Sequence, residues 1–180
     1  YMSTAYSYKK GDMYPRYFNT PNQVGLSKKI SSLENAEETL VFGSGMAAIS
    51  TSLLSFLSSG DHVIFQPDLY GGTRNFATEH LNTYGIEFSF SKSVDLKDFE
   101  SQIKDNTKVI YVESPSNPLM KVVDLKGISG LAKDNNIITM IDNTFASPVN
   151  QNPIPLGIDI VIHSATKYLG GHSDILAGSV

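Results

Sequence analysis

One lysine, Lys167, sits in the stretch HSATKYLGGHSD (163–174), directly after the apolar run DIVI. An amine there can act as a nucleophile or base once it is neutral, which an apolar pocket or a cationic neighbour promotes. Ser164 and Thr166 set short hydroxyls beside it, of the kind that contact phosphate oxygens. Asp142 ends the apolar run IITMI. A carboxylate at the end of a buried strand must be paired or hydrogen-bonded, and a ring nitrogen kept protonated is one such partner. GSGM (43–46) is a glycine turn that opens a helix, where unpaired N–H groups and the helix dipole favour an anion. Tyr70 precedes Gly71 and Gly72. The two glycines leave room for a flat ligand, and the phenol could stack on a ring or move a proton. Glu113 and Asn117, in ESPSNP, complete the set.

These residues need a scaffold that gathers them. The apolar runs TLVF (39–42), HVIFQ (62–66), IEFSF (86–90), KVIYV (108–112), IITMI (137–141) and DIVIH (159–163) read as strands. Between them, helices are expected over 45–58, 72–84, 95–104 and 124–135. Short strands that are β-branched and apolar on both faces, alternating with helices, imply βαβ units around a mostly parallel sheet. Ligands of such sheets lie beyond the carboxyl ends of the strands. Five of the polar loops follow predicted strands, and their agreement assigns Lys167 as the carrier of a cofactor. Residues 1–22, rich in Tyr, Ser and Lys, read as an extended arm, and 23–180 as the ligand-binding domain. Val24, Ile30 and Leu33 suggest a helix just after the arm.

Composition removes several classes of function. The 180 residues carry a formal charge of −4 with acidic and basic residues mixed, which gives no footprint for nucleic acid or an anionic membrane. No apolar run reaches the roughly 20 residues of a membrane span. Cysteine is absent, so disulfides and thiolate sites are excluded and a cytoplasmic location is the expectation. His62, His80, His163 and His172 lack metal-binding spacing, and no metal is expected. A chain that starts at Tyr1 and stops at ILAGSV is expected to be part of a longer one. Two other readings stay open at this level. One is a module that holds a phosphorylated ligand without covalent chemistry, which needs neither Lys167 nor Asp142; the other is a purely structural α/β domain.

As a set, YPRYFN, LENAEETLVFGSGMAAI, GDHVIFQPDLYGGT, VIYVESPSNPLMKVVD, IDNTFASPVNQNP and GIDIVIHSATKYLGGHSD resemble the Cys/Met-metabolism branch of pyridoxal-phosphate enzymes. That branch includes the cystathionine lyases, cystathionine γ-synthase and methionine γ-lyase. The resemblance runs from about Tyr14 to the end. It implies the three-layer α/β large domain of fold-type-I, aminotransferase-like enzymes, with pyridoxal 5'-phosphate as cofactor. By that resemblance Lys167 bonds the cofactor and Asp142 pairs with its ring nitrogen. Gly45 and Met46 give backbone N–H groups to the phosphate, joined by the hydroxyls of Ser164 and Thr166. Tyr70 stacks on the ring and moves protons, Asn117 lies near the ring oxygen, and Thr144 belongs to the same set. Tyr14 and Arg16 match a Tyr-x-Arg that reaches the phosphate of a neighbouring subunit, which implies a homo-oligomer, a tetramer built from dimers of sites. The implied reaction is β- or γ-elimination or γ-replacement on cystathionine, methionine or an O-acylhomoserine, a γ-lyase first of all, with a small sulfur-containing amino acid as substrate. One departure is Asn19-Thr20-Pro21, where the family reads N-P-T. The family's arginine for the substrate carboxylate lies in a C-terminal domain, and Arg16 and Arg74 do not match its motif.

Overall fold

The computed structural model describes residues 1–2, 5–7 and 13–180; part of the expected arm lies outside them. Helix α1 spans Pro21–Glu34, so it takes in the last two residues of the expected arm. The altered order at 19–21 is what starts it. Thr20 is the N-cap, Pro21 takes the first helical position, and Thr20 and Gln23 form a capping box. Asn19, just outside, accepts the Tyr14 N–H at 2.8 Å.

The central sheet has five parallel strands: β2 (His62–Phe65), β3 (Glu87–Phe90), β4 (Thr107–Glu113), β5 (Ile138–Asp142) and β6 (Ile160–Ile162), in the order β3-β2-β4-β5-β6. Side chains alternate across it. Val63, Phe65, Val109, Tyr111, Met140 and Ile162 pack on one face with Ala48, Ile49 and Leu53 of α2 (Gly45–Phe56) and Ala77 of α3 (Gly71–Glu79). Ile64, Ile110, Val112, Ile141 and Val161 pack on the other face with Phe99 of α4 (Leu96–Glu100) and with Leu125, Ile128 and Ala132 of α5 (Leu125–Asp134). Both faces are covered, so the inner strands β2, β4 and β5 are mostly apolar on both sides, while the edge strand β3 keeps Glu87 and Ser89.

TLVF does not join that sheet. Only Val41–Phe42 form a strand, β1, and it pairs antiparallel with β7, Gly178–Ser179. The antiparallel bridge between His163 and Ser179 then ties this two-stranded piece to the edge at β6. The helix expected over 72–84 is two elements: α3 stops at Glu79, and a 3-10 turn follows over Leu81–Tyr84, closed by Gly85 at φ +73°. The helix expected over 95–104 shrinks to 96–100. A short α6 (Ser147–Asn150) follows the loop after β5. Among the described residues no helix is long and apolar enough to cross a membrane.

Candidate active site at the carboxyl edge of the sheet

The carboxyl ends of β4 and β5, the start of α2 and the loop after β6 surround a cleft of about 360 Å³. Eight of the eleven residues that the family resemblance assigns to the site line it, namely Gly45, Met46, Tyr70, Asn117, Asp142, Thr144, Ser164 and Lys167, and Glu113 lines it as well.

The start of α2 supplies the anion end. Ser44 caps the helix by accepting the Ala47 N–H at 3.0 Å, which leaves the N–H groups of Gly45 and Met46 at the open first turn. Ser164 lies directly against Gly45. A methyl group added there would stand 2.7 Å from the Ser164 Cβ and 2.9 Å from its Cα. Only glycine allows this approach. Thr144 fastens the loops of β5 and β6 together, its hydroxyl accepting the Ser164 N–H at 2.8 Å.

The floor is acidic. Asp142 is buried, and its Oδ1 accepts the Thr144 N–H at 3.0 Å. Burial raises its pKa, while the bonds from Thr144 and the charge of His163 pull the other way. Glu113 is its register partner on the neighbouring strand. One Glu113 oxygen takes the Tyr70 N–H and the other the Asn117 N–H, each at 2.7 Å. Burial, and then the negative charge of Asp142, push the Glu113 carboxyl up to about 7 against those two bonds. Gln66 clasps the Glu113 backbone on both sides, donating to its carbonyl and accepting from its N–H at 2.9 Å. Glu113 therefore fixes the loops that present Tyr70 and Asn117.

Tyr70 is half-exposed at the cleft mouth. Its ring rests over Gly72, where a Cβ would fall 2.5 Å from the ring carbon Cε1. Lys167 lies in a turn closed by its own N–H to Ser164 O at 3.0 Å and by Gly171 N–H to Lys167 O at 2.7 Å, with Gly171 at φ +81°. The lysine and Asp142 thus enter one cleft from different loops.

Three expected residues do not line the cleft. Thr166 is turned to the chain end of the domain, its hydroxyl accepting the Ala177 N–H at 3.0 Å and donating to the Ala177 carbonyl at 3.1 Å. Tyr14 and Arg16 sit in the segment before α1, with the guanidinium 5.9 Å from the Tyr14 ring centre. Arg74 spans the Phe90 ring at 4.4 Å and bonds the Pro67 carbonyl, a structural position. The cleft also contains Phe145 and Tyr168, which the sequence reading left out; their rings lie 6.2 Å apart. Each follows a predicted site motif, and that adjacency was the available signal. Among the described residues no group of three His, Cys, Asp or Glu could hold a metal ion.

An open helix end, a buried carboxylate and an amine line one cleft beyond the strands of a parallel α/β sheet, an arrangement that could receive a flat phosphorylated ring held through an amine. The profile of the family described as Cys/Met metabolism PLP-dependent enzyme matches residues 1–180, and the chain belongs to that family. It is 50% identical over 159 residues to cystathionine beta-lyase MetC of Bacillus subtilis (strain 168), covering 88% of this chain and 40% of the relative. Among solved structures it resembles cystathionine gamma-lyase from Lactobacillus plantarum complexed with L-serine, with TM-score 0.92, 40% identity, and 99% and 48% of the two chains covered. It also resembles a Campylobacter jejuni protein whose structure carries N'-pyridoxyl-lysine-5'-monophosphate, with TM-score 0.89, 34% identity, and 94% and 41% covered. The chain spans less than half the length of these relatives. The fold is the large domain of pyridoxal-phosphate-dependent lyases, and the family's cofactor fits the cleft: the Gly45–Ser164 contact leaves the N–H groups of α2 bare, and Asp142 and Lys167 supply the carboxylate and amine such a ring requires.

Proposed function

We propose that the whole protein is a carbon–sulfur lyase of the transsulfuration type acting on cystathionine. The observation that carries this reading is the placement of Lys167 and Asp142, from two separate loops, in one cleft with the open end of α2. When bound, pyridoxal phosphate supplies an electron sink for the charge left on Cα. The chain's own groups do the rest. Lys167 holds the cofactor covalently and, when freed, takes the Cα proton on its Nζ. Asp142 keeps the ring nitrogen protonated. The N–H groups of Gly45 and Met46 and the Ser164 hydroxyl bind the phosphate, Tyr70 covers the ring face, and Asn117 meets the ring oxygen. Thr144 positions Ser164. Thr166 holds Ala177, the residue before β7, through two hydrogen bonds, and its hydroxyl stays assigned to the phosphate end of the site.

Tyr14 and Arg16, which do not line their own chain's cleft, are assigned to the phosphate of a second subunit, making the working unit a dimer within a tetramer. A soluble cytoplasmic enzyme is the setting that this assigns.

The bond cut is first of all that at the γ carbon, in line with the sequence reading and with the γ-lyase name of one structural relative. The relative with 50% identity bears a β-lyase name, which favours the β carbon instead. Products decide between them. Cleavage at the γ carbon of cystathionine yields cysteine, 2-oxobutanoate and ammonia; cleavage at the β carbon yields homocysteine, pyruvate and ammonia. Absence of both keto acids, in a preparation that borohydride labels with cofactor at Lys167, would remove cystathionine as substrate.

A further inference from the structure

Phe145 and Tyr168 line the cleft, yet no step of the proposed reaction uses them. Phe145 lies in the loop after β5, next to Thr144, and Tyr168 in the loop after β6, next to Lys167. Their rings lie 6.2 Å apart at an interplanar angle of 42°. That separation is within the range of a packed aromatic pair. The backbone sets both rings in place. The Ser164 N–H bonds the Thr144 hydroxyl at 2.8 Å and so ties the two loops, and the turn around Tyr168 closes through the Gly170 N–H to Ala165 O at 2.8 Å.

The fold does not account for this pair. Neither ring belongs to the apolar cores that flank the sheet. Tyr168 is 59% exposed and Phe145 half-buried, so aromatic surface stays open inside the cleft. Pockets for small molecules are lined by aromatic side chains of this kind. The cofactor does not require them, because its phosphate, ring nitrogen, ring oxygen and ring face are assigned to other groups, the last to Tyr70. The strand order β3-β2-β4-β5-β6 sets Tyr70, after β2, at one end of the cleft and the pair, after β5 and β6, at the other. Lys167 is the chain neighbour of Tyr168, and the substrate carbon that gives its proton to Nζ must come to that end. The side chain of the substrate leaves from the same carbon. Gly171 and Ser173 continue the wall there without adding a charge, so it suits an uncharged arm. A thioether is uncharged, flexible and polarisable, and its sulfur packs favourably on aromatic rings.

We propose that Phe145 and Tyr168 are specificity-determining residues, their paired rings forming the wall that receives the thioether side chain of the substrate. This rests on the reading of the whole protein as a carbon–sulfur lyase, and it adds which residues select the sulfur-bearing arm.

The test uses the full-length protein loaded with pyridoxal phosphate and a probe that cannot react: cystathionine with both amino groups replaced by hydrogen, which keeps the thioether and both carboxylates. Calorimetry gives its dissociation constant, and a fluorescence titration gives that of the cofactor. Tyr168→Ala and Phe145→Ala are each expected to weaken the probe about tenfold, through lost ring area and lost sulfur contact. Tyr168→Phe is expected to keep the parental affinity, because the ring and not the hydroxyl makes the wall. Cofactor affinity is expected to stay parental in all these variants. The sulfoxide of the probe, polar where the thioether is apolar, is expected to bind the parent more weakly than the thioether does. Parental affinity for the thioether in Tyr168→Ala protein would overturn the proposal, as would a sulfoxide that binds the parent equally well. A matching loss of cofactor affinity would make the rings part of the cofactor site instead, and a smaller mass by sedimentation would make Tyr168 a subunit contact; either overturns it. Should Phe145→Ala not fold, Tyr168→Ala, at an exposed position, decides alone. Keto acid released from cystathionine judges the lyase reading separately: if none forms while the probe still depends on the two rings, that reading fails and the thioether wall stands.

Discussion

Glu113 and Asp142 stand side by side as register partners at the ends of adjacent parallel strands, both on the wall of one cleft. Two carboxyls so placed, with burial acting on each, cannot both ionise cheaply.

Stability should therefore fall as the pH rises. Burial, and then the charge of Asp142, push the Glu113 carboxyl up from its ordinary 4.5 to about 7 in the folded protein. Between those pH values the folded state holds a proton that the unfolded state has lost, so the free energy of unfolding decreases through this window. The full loss, reached above pH 7, is about 3 kcal/mol at most. Asp142, raised by burial, acts in the same direction. Urea unfolding of the cofactor-free protein at pH 5 and pH 8 measures it, and Glu113→Gln should flatten the difference. Equal or greater stability at pH 8 in the unmodified protein would contradict the assignment.

Lys167→Ala should reduce turnover by at least about a thousandfold, since it removes both the covalent anchor and the base. Circular dichroism should remain that of the parent, because the side chain is exposed and takes no part in the core. Borohydride should no longer fix the cofactor to the chain. Turnover within a few-fold of the parent would remove Lys167 from the mechanism.

Gly45→Ala should cost the protein its grip on phosphate. The new methyl would press on the Ser164 backbone, which cannot swing aside as a flexible side-chain tip can. Cofactor affinity should drop by more than about tenfold, or some 1.4 kcal/mol. The control is Gly130→Ala in α5, where nothing lies within 4 Å of the added Cβ. That change should stabilise the fold by up to about 1 kcal/mol and leave the cofactor alone. Equal affinities in the two variants would refute the phosphate cradle.

Mixing Arg16→Ala protein with Lys167→Ala protein should restore activity. If Arg16 serves the neighbouring subunit, each hybrid dimer contains one site with both residues intact, and statistical exchange should recover about a quarter of parental activity. Verified hybrids that stay inactive would mean that the segment before α1 serves its own chain.

Much of this architecture was legible because the strands are apolar on both faces. Five of the six predicted strands fall within a residue or so of their final place in the central sheet. Pairing was not legible: the partner of Val41 is Ser179, and nothing local in TLVF announces it. The apolar pattern of α1 misleads for a different reason. Leu33 is 44% exposed while Ser31 and Glu34 are buried. That helix turns a polar stripe inward, to Thr39 through Ser31 and to His163 and Asn143 through Glu34. A rule built on apolar faces fails where the inward face has polar work to do. Glu113 stood in view at its strand end, but its clasp on two loops depends on backbone groups that no side-chain pattern records.

The pairing of β1 with β7 has a consequence for the order in which the molecule can be made. Ser44 and Gly45 lie immediately after β1, and the Gly178 position packs against the Ser44 carbonyl. The turn at Ser44 leaves the ribosome well before the strand that backs it, since more than 130 residues separate Gly45 from Gly178. At about 5–20 residues per second, the turn waits roughly 7–27 seconds for its support. Glu34 waits almost as long for His163. A nascent chain released before Gly178 would carry every side chain that lines the cleft and still lack the β-strand that supports the turn at Ser44, so chaperones have a long interval in which to meet this protein half-built.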